Sequence, residues 1–132
     1  MQRITPYLLY EDVASALDWL AKAFGFREHG TRMSDPDGKV RHAAIELDES
    51  IIMMGCPGPD YKNPKHLGAV TQNLYVYVDD VDKHCSQAKK AGAKILQEPE
   101  DMFYGDRRYG AEDPEGHHWY FAQQVREVTP EE

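Results

Sequence analysis

The sequence predicts an α+β fold built from two βαβββ modules, and an internal repeat is the main observation behind this prediction. When the chain is aligned with itself at one constant offset, Tyr7 falls on Tyr75, Asp12 on Asp80 and Val13 on Val81. Each copy contains an extended run, an acidic pair, an amphipathic helical segment and a glycine, followed by further strands and turns. Two such modules bury each other's open sheet edges and uncovered faces, so we expect paired sheets that form a cleft.

The first copy begins with an extended run over residues 4–10, and Asp12 is placed to accept the free N–H groups of the first helical turn. One face of the helix is apolar at the expected spacing, with Val13, Ala16, Leu17 and Leu20. Gly25 stands where a left-handed C-cap belongs. Turns at residues 35–38 and 48–50 then separate two strands, predicted over residues 40–47 and 51–54.

The second copy repeats this order, with a strand over residues 73–78, Asp80 as the N-cap and Gly92 at the C-cap position. Val81, Cys85 and Ala88 form the apolar face of its helix. A strand starts at residues 93–96, and after a turn at residues 113–116 the last strand covers residues 117–122. The predicted organisation is one domain, 1–132, with module one at 1–55, a proline-rich linker at 56–70 and module two at 71–126.

Composition excludes several classes of function. The 132 residues carry 15 Lys and Arg against 23 Asp and Glu, a net charge of −8. Such an acidic surface repels phosphate backbones, so we expect neither nucleic acid nor a membrane as a partner. Cys56 and Cys85 form no metal or disulfide pattern, and no apolar stretch approaches the length of a membrane span. These features favour a cytoplasmic protein with free thiols.

At this point the sequence resembles the vicinal-oxygen-chelate superfamily, which contains glyoxalases, bleomycin resistance proteins and dioxygenases. The resemblance covers residues 4–124. It rests on the order strand, acidic pair, helix ending in Phe24-Gly25-Phe26, and late segment Asp113-Pro114-Glu115-Gly116-His117-His118-Trp119. The segment Tyr104-Gly105-Asp106-Arg107 is similar to the PhnB-like and bleomycin-resistance branches. The resemblance implies a small-molecule cleft and a symmetric homodimer whose clefts are built partly across the interface.

The resemblance also implies where a metal ion would bind. Metal-dependent members place His, Glu or Gln at four strand positions, which fall here on Thr5, Met53, Asn73 and Tyr120. None of these side chains is a good ligand for a divalent transition metal ion, so the sequence predicts neither a metal nor another cofactor. The alternative is a displaced metal site built from His42, His118 and Glu46.

Strand alternation predicts which side chains face the ligand. Tyr7 shares a face with Thr5, Tyr75 and Tyr77 share one with Asn73, and His118 shares one with Tyr120. The arginines near Tyr104 either close over the cleft and meet an anionic group or lie in a solvated loop beside Asp106. The predicted ligand-binding set is Thr5, Tyr7, His42, Met53, Asn73, Tyr75, Tyr77, Tyr104, Arg107, His118 and Tyr120.

Two classes of function remain. The first is a metal-free protein that binds a small, partly aromatic molecule in a tyrosine-lined cleft, for sequestration or resistance. The alternative is a metal-dependent lyase, isomerase or dioxygenase that uses displaced ligands. No catalytic residue is assigned from the sequence.

Overall fold

The computed structural model describes residues 1–129, so the last three residues of the predicted domain lie outside the described residues. Seven elements precede the second copy of the repeat. They are β1 (Tyr7–Leu9), α1 (Val13–Phe24), β2 (Arg27–Glu28), β3 (Met33–Ser34), β4 (Val40–Leu47), β5 (Ser50–Gly55) and α2 (Pro64–Leu67). The second copy contains β6 (Asn73–Tyr77), α3 (Val81–Lys90), β7 (Lys94–Asp101), β8 (Asp106–Glu112) and β9 (His118–Gln124).

The two copies fold into sheets with the same topology. The first sheet has the order β1-β5-β4-β2, with β3 also paired to β4, and the second has the order β6-β9-β8-β7. In each sheet the first strand runs parallel to the last, and the remaining pairs are antiparallel. Together β2 and β3 occupy the place that β7 holds in the second sheet. The predicted α+β fold of two βαβββ modules is therefore confirmed.

The helices begin where the acidic residues predicted. Asp12 accepts a hydrogen bond from the backbone N–H of Ser15 at 3.1 Å, and Asp80 accepts one from Lys83 at 3.1 Å. Gly25 ends α1 in the left-handed conformation, with φ 78°. Gly92 has the predicted left-handed conformation, with φ 90°, but it follows the C-cap residue of α3, which is Ala91.

Two strand predictions needed larger corrections. β1 covers only Tyr7–Leu9 instead of residues 4–10, and β8 lies in a region where no strand was predicted. β8 contains two arginines, a glycine and two acidic residues, which are weak strand formers. It is held by pairing with β7 on one side and β9 on the other, which is tertiary information.

An aromatic core joins the two halves of the chain. Phe24 packs against Phe121 with ring centroids 4.6 Å apart, and Phe26 packs against Trp119 at 5.3 Å. Trp119 and Phe121 are fully buried on the helix-facing side of β9, as the alternation predicted. Because this core includes residues from α1 and from the second sheet, the halves form one continuous core.

The turn at residues 113–116 ties the second sheet to the start of α1. The carboxylate of Asp113 is 3% exposed and accepts hydrogen bonds from Tyr10 Oη at 2.6 Å and from Trp119 Nε1 at 3.1 Å. Glu115 accepts hydrogen bonds from the backbone N–H groups of Glu11 and Asp12. Asp113 and Glu115, which belong to the segment that resembles the superfamily, therefore have a structural role.

The two sheets do not close into a common barrel, since no strand of one pairs with a strand of the other in residues 1–129. The sheet faces directed away from the helices remain open, and several of their aromatic and apolar side chains are exposed. None of the helices within residues 1–129 has both the length and the apolar character needed to cross a bilayer.

Candidate functional site

The candidate site consists of the open faces of the two sheets. The face of the first sheet, called here the first face, carries Tyr7 and Met53, which are paired neighbours on β1 and β5. His42 on β4 lies on the same side, since it is paired with Gly55, two residues beyond Met53. Thr5 precedes β1 and is partly exposed. The structure thus brings together the three predicted residues of the first module that lie on strands, with Thr5 just outside them.

A tyrosine–histidine contact organises the first face. The Tyr7 hydroxyl lies 3.0 Å from His42 Nδ1, and the two ring centroids are 5.6 Å apart. Tyr7 is 49% exposed, so its ring remains available to a ligand. Glu46 lies further along β4 and contacts His29 at 3.3 Å, which separates it from the Tyr7–His42 pair.

The open face of the second sheet, called here the tyrosine face, carries more of the predicted residues than the first face does. The strand pairing aligns Asn73 with His118 and Tyr75 with Tyr120, and Tyr77 follows on the same side. These five predicted residues therefore share one face. Their neighbours on the opposite side are Leu74, Val76, Trp119 and Phe121, which face the core.

Asp106 is the centre of the tyrosine face, and the sequence analysis did not assign it to the site. Its Oδ2 accepts hydrogen bonds from the hydroxyls of Tyr75 at 2.7 Å and Tyr77 at 2.8 Å. The Tyr104 hydroxyl lies 3.3 Å from that of Tyr75. Burial, followed by the hydrogen bond with Tyr104, raises the pKa of Tyr75, and the hydrogen bond to Asp106 raises the pKa of Tyr77. Both phenols therefore remain protonated donors at neutral pH.

Tyr120 lies flat over a glycine on the neighbouring strand. A Cβ atom added to Gly110 would stand 2.6 Å from the Tyr120 ring, so only glycine leaves room for this ring position. The guanidinium of Arg108 lies over the Tyr120 ring, 4.9 Å from the ring centroid. This arrangement is a cation–π contact that positions both side chains.

The structure places Arg107 outside the site, which corrects the sequence-based assignment. Arg107 lies on the helix-facing side of β8, where its guanidinium forms ion pairs with Asp82 and Asp101. It does not pair with Asp106, and the arginine that reaches the tyrosine face is Arg108. Because neighbouring strand residues point to opposite sides, the error follows directly from the missed strand.

His118 occupies one end of the tyrosine face. Its Nε2 lies 3.1 Å from Glu112 Oε1, and both side chains are partly buried. The pair borders a cavity of about 390 Å³ that is also lined by Lys65 and Val70. His118 is therefore engaged with Glu112, whereas His42 is engaged with Tyr7 on the other sheet.

The donor chemistry does not fit a transition metal ion at the family's usual positions. Thr5, Met53, Asn73 and Tyr120 offer a weak hydroxyl, a soft thioether, an amide and a phenol. The displaced set of His42, His118 and Glu46 is not assembled, and residues 1–129 contain no group of three or more His, Cys, Asp or Glu side chains arranged to hold a metal ion.

A cavity of about 380 Å³ lies where the tyrosine-bearing strand β6 passes the end of the first sheet. It is lined mainly by apolar and aromatic side chains, among them Phe26, Ile52, Tyr75 and Tyr77. This volume and character are typical of small-molecule sites. A larger cavity of about 490 Å³ near Glu11 and Tyr61 is more polar, and none of the predicted ligand-binding residues lines it.

Comparison with known proteins agrees with this fold. The chain belongs to the Glyoxalase/Bleomycin resistance protein/Dioxygenase superfamily, whose family pattern matches residues 3–121. It is 38% identical over 135 residues to the uncharacterized protein Mb0911c of Mycobacterium bovis, covering 98% of this chain and 88% of that protein. It is equally similar to the uncharacterized protein Rv0887c of Mycobacterium tuberculosis, of which 78% is covered.

Solved structures give the same result. The crystal structure of TioX from Micromonospora sp. ML1 is similar with a TM-score of 0.77 and 34% identity, covering 95% of this chain and 100% of TioX. A glyoxalase/bleomycin resistance protein/dioxygenase family enzyme from Burkholderia phytofirmans PsJN has a TM-score of 0.69 and 17% identity, covering 90% and 95% of the two chains. At that identity, the second match speaks for the fold alone.

Proposed function

We propose that this protein binds a small, partly aromatic molecule without a metal ion, in the manner of a sequestration or resistance protein. The observation that carries the proposal is the tyrosine face, where Tyr75, Tyr77 and Tyr120 share one side of the second sheet around a buried carboxylate. Exposed tyrosine rings on a rigid sheet offer stacking surface at a low cost in conformational entropy. The superfamily includes bleomycin resistance proteins, which is in line with a binding role.

The absence of a metal ion is part of the same proposal. Glyoxalase or dioxygenase chemistry needs an ion that polarises two neighbouring oxygens, and Met53 and Asn73 are poor ligands for one.

Both cysteines are free in the structure, which fits a protein that works in the reducing cytoplasm.

The ligand site is proposed to be completed in a symmetric homodimer. Tyr7 and Met53 on one sheet, and Tyr75 and Tyr77 on the other, are all open in the single chain. The outer edges of β1 and β6 carry no neighbouring strand in the described residues. A second copy that lays its tyrosine face against the first face would cover both the exposed rings and the free edges.

A ligand from a thermal-shift screen of small aromatics tests the proposal, because a tight ligand raises apparent stability. Tyr75→Leu and Tyr120→Leu should each weaken binding about threefold to tenfold, as expected for one lost stacking contact. Tyr61→Leu, in the segment between the sheets, is the matched control. Phe variants at the same two positions separate stacking from hydrogen bonding by the hydroxyl.

Binding should also be unchanged after treatment with EDTA and dialysis. Unchanged affinity in both Leu variants would place the ligand elsewhere. One equivalent of a transition metal, lost on replacing His42 or His118, would instead favour the metal-dependent lyase, isomerase or dioxygenase.

A further inference from the structure

Asp106 places a carboxylate behind the hydroxyls of Tyr75 and Tyr77, at the back of the tyrosine face. Its side chain is only 5% exposed. None of the ion pairs within residues 1–129 includes Asp106. The two arginines that follow Asp106 on β8 have other partners. Arg107 binds Asp82, and Arg108 contacts Gln97 and the Tyr120 ring. A buried carboxylate without a cation is costly, and a positive charge brought close to it recovers part of that cost.

The rings in front of this carboxylate are arranged at steep angles to each other. The Tyr75 and Tyr77 centroids are 5.6 Å apart with an interplanar angle of 68°. Tyr104, which contacts Tyr75 through its hydroxyl, stands at 89° to the exposed ring of Phe103. Rings set at such angles form a corner in which a cation meets more than one electron-rich face, as in the aromatic cages that bind alkylated ammonium groups.

The direction of the hydrogen bonds to Asp106 also favours a cationic ligand. Tyr75 and Tyr77 donate their hydroxyl protons to Asp106, so these phenols present ring faces and oxygen lone pairs to a ligand. Burial raises the pKa of Tyr75, and the hydrogen bond to Asp106 raises the pKa of Tyr77, so both keep their protons at neutral pH. The part of the face formed by Tyr75 and Tyr77 therefore attracts a cation, in agreement with the net charge of −8.

We propose that the tyrosine face recognises an organic ammonium group, with Tyr75 and Tyr77 as the cage and Asp106 as the charge behind it. This inference rests on the proposed small-molecule binding and adds the chemical class of the ligand. The ammonium lies against the ring faces, and Asp106 acts through the two phenols that separate it from the ligand.

Two probes of the same shape, one cationic and one neutral, measure how much the positive charge contributes to binding. One is (3-hydroxyphenyl)trimethylammonium, and the other is 3-tert-butylphenol, in which carbon replaces the charged nitrogen. Titration of the full chain, followed by NMR signals of the tyrosine rings, should show that the cation binds roughly tenfold more tightly than the neutral probe. The hydrophobic effect alone would favour the neutral probe, so a preference for the cation identifies charge recognition.

Variants connect this preference to the proposed residues. Asp106→Asn and Tyr77→Leu should each reduce the preference for the cation to about threefold or less. Tyr77→Leu changes an exposed side chain, so it tests the proposal even if the Asn variant folds poorly. Tyr77→Phe keeps the ring and should retain most of the preference.

The outcomes separate this inference from the proposed function. Equal binding of the two probes on the tyrosine face overturns the ammonium proposal and leaves aromatic binding intact. Binding of neither probe counts against both. A cation preference that survives Asp106→Asn and Tyr77→Leu places the charge recognition at another site and overturns the cage.

Discussion

At the scale of single residues, Asp113 connects the two modules through its buried carboxylate. Besides Tyr10 and Trp119, its carboxylate accepts hydrogen bonds from the backbone N–H groups of Glu115 and His117. Four donors therefore converge on one side chain that is 3% exposed. Such a carboxylate contributes to stability mainly because it supplies an acceptor to donors that would otherwise be buried without a hydrogen bond.

Asp113→Ala should lower the free energy of unfolding by about 3 kcal/mol or more, because it leaves buried donors without an acceptor. Asp113→Asn keeps one acceptor oxygen and should lose less. Urea denaturation measures both, with Asp60→Ala in an exposed loop as the control. A loss below about 1 kcal/mol for the Ala variant would contradict the role assigned to Asp113.

His84 on α3 is partly buried where this helix meets the end of α1. It lies between the Tyr109 hydroxyl, next to Nδ1, and the Phe24 carbonyl, which is 2.8 Å from Nε2. In the neutral ring, Nε2–H donates to Phe24 and Nδ1 accepts from Tyr109. Burial lowers the pKa of His84, opposed in part by the hydrogen bond to Phe24. The folded state therefore holds the neutral form.

Because the pKa of His84 is lower in the folded chain than in the unfolded chain, the protein loses stability as the pH falls. The contribution of His84 to stability is fully present above the pKa of the unfolded chain, about 6.5, and is lost as the pH falls below that value through the lower folded pKa. The slope cannot exceed about 1.4 kcal/mol per pH unit for one proton. Urea denaturation from pH 7.5 to pH 5 measures the loss.

His84→Gln is the matched variant, because its amide can make both hydrogen bonds and does not titrate. We expect a shallower fall in stability between pH 6.5 and pH 5 than in the unaltered protein. Identical slopes would mean that other groups, such as the carboxylates, cause the acid sensitivity.

At the scale of elements, two Asp-Pro turns of the same sequence type have different surroundings. Gly38 ends the turn of the first module and Gly116 ends that of the second, with φ values of 84° and 96°. A Cβ added at Gly38 would meet nothing within 4 Å, whereas at Gly116 it would stand 2.6 Å from the backbone nitrogen of Lys65. The second turn is therefore packed directly against α2.

Gly38→Ala should cost about 1 kcal/mol, the usual cost of a positive φ in a residue with a side chain. Gly116→Ala should cost clearly more, about 2 kcal/mol or above, because α2 has to move as well. Thermal unfolding of the two variants side by side measures the difference. Equal losses would show that α2 moves without cost.

At the scale of the whole molecule, the proposed dimer predicts that each ligand site takes the first face from one chain and the tyrosine face from its partner. Light scattering should then show a dimer at micromolar concentration. Met53→Asp would damage the first face, and Tyr75→Leu would damage the tyrosine face. Each variant alone should bind the ligand more weakly than the unaltered protein.

Co-expression of these two variants distinguishes shared sites from sites within one chain. In a mixed dimer with shared sites, one site carries both changes and the other carries neither. Wild-type affinity should therefore return in about a quarter of the sites if chains pair at random. A monomer in solution, or no recovered binding in a verified mixed dimer, would contradict shared sites.

The sequence by itself determined the module architecture and most of the tyrosine face. The repeat, the capping residues Asp12 and Asp80, and the two-residue alternation of β6 are local signals, since side-chain direction depends only on neighbouring backbone. These signals placed Tyr75 and Tyr77 on one side and Leu74 and Val76 on the other, as the structure has them.

Tertiary structure alone decided what surrounds those tyrosines. β8 is weak as an isolated strand and exists because β7 and β9 pair with it, so its alternation was invisible until the pairing was known. That pairing brings Asp106 and Arg108 to the tyrosine face and turns Arg107 to Asp82. Strand register joins residues far apart in the sequence, and a shift of one position exchanges the two faces. The aromatic rings were therefore predictable from the sequence, whereas the charge behind them was not.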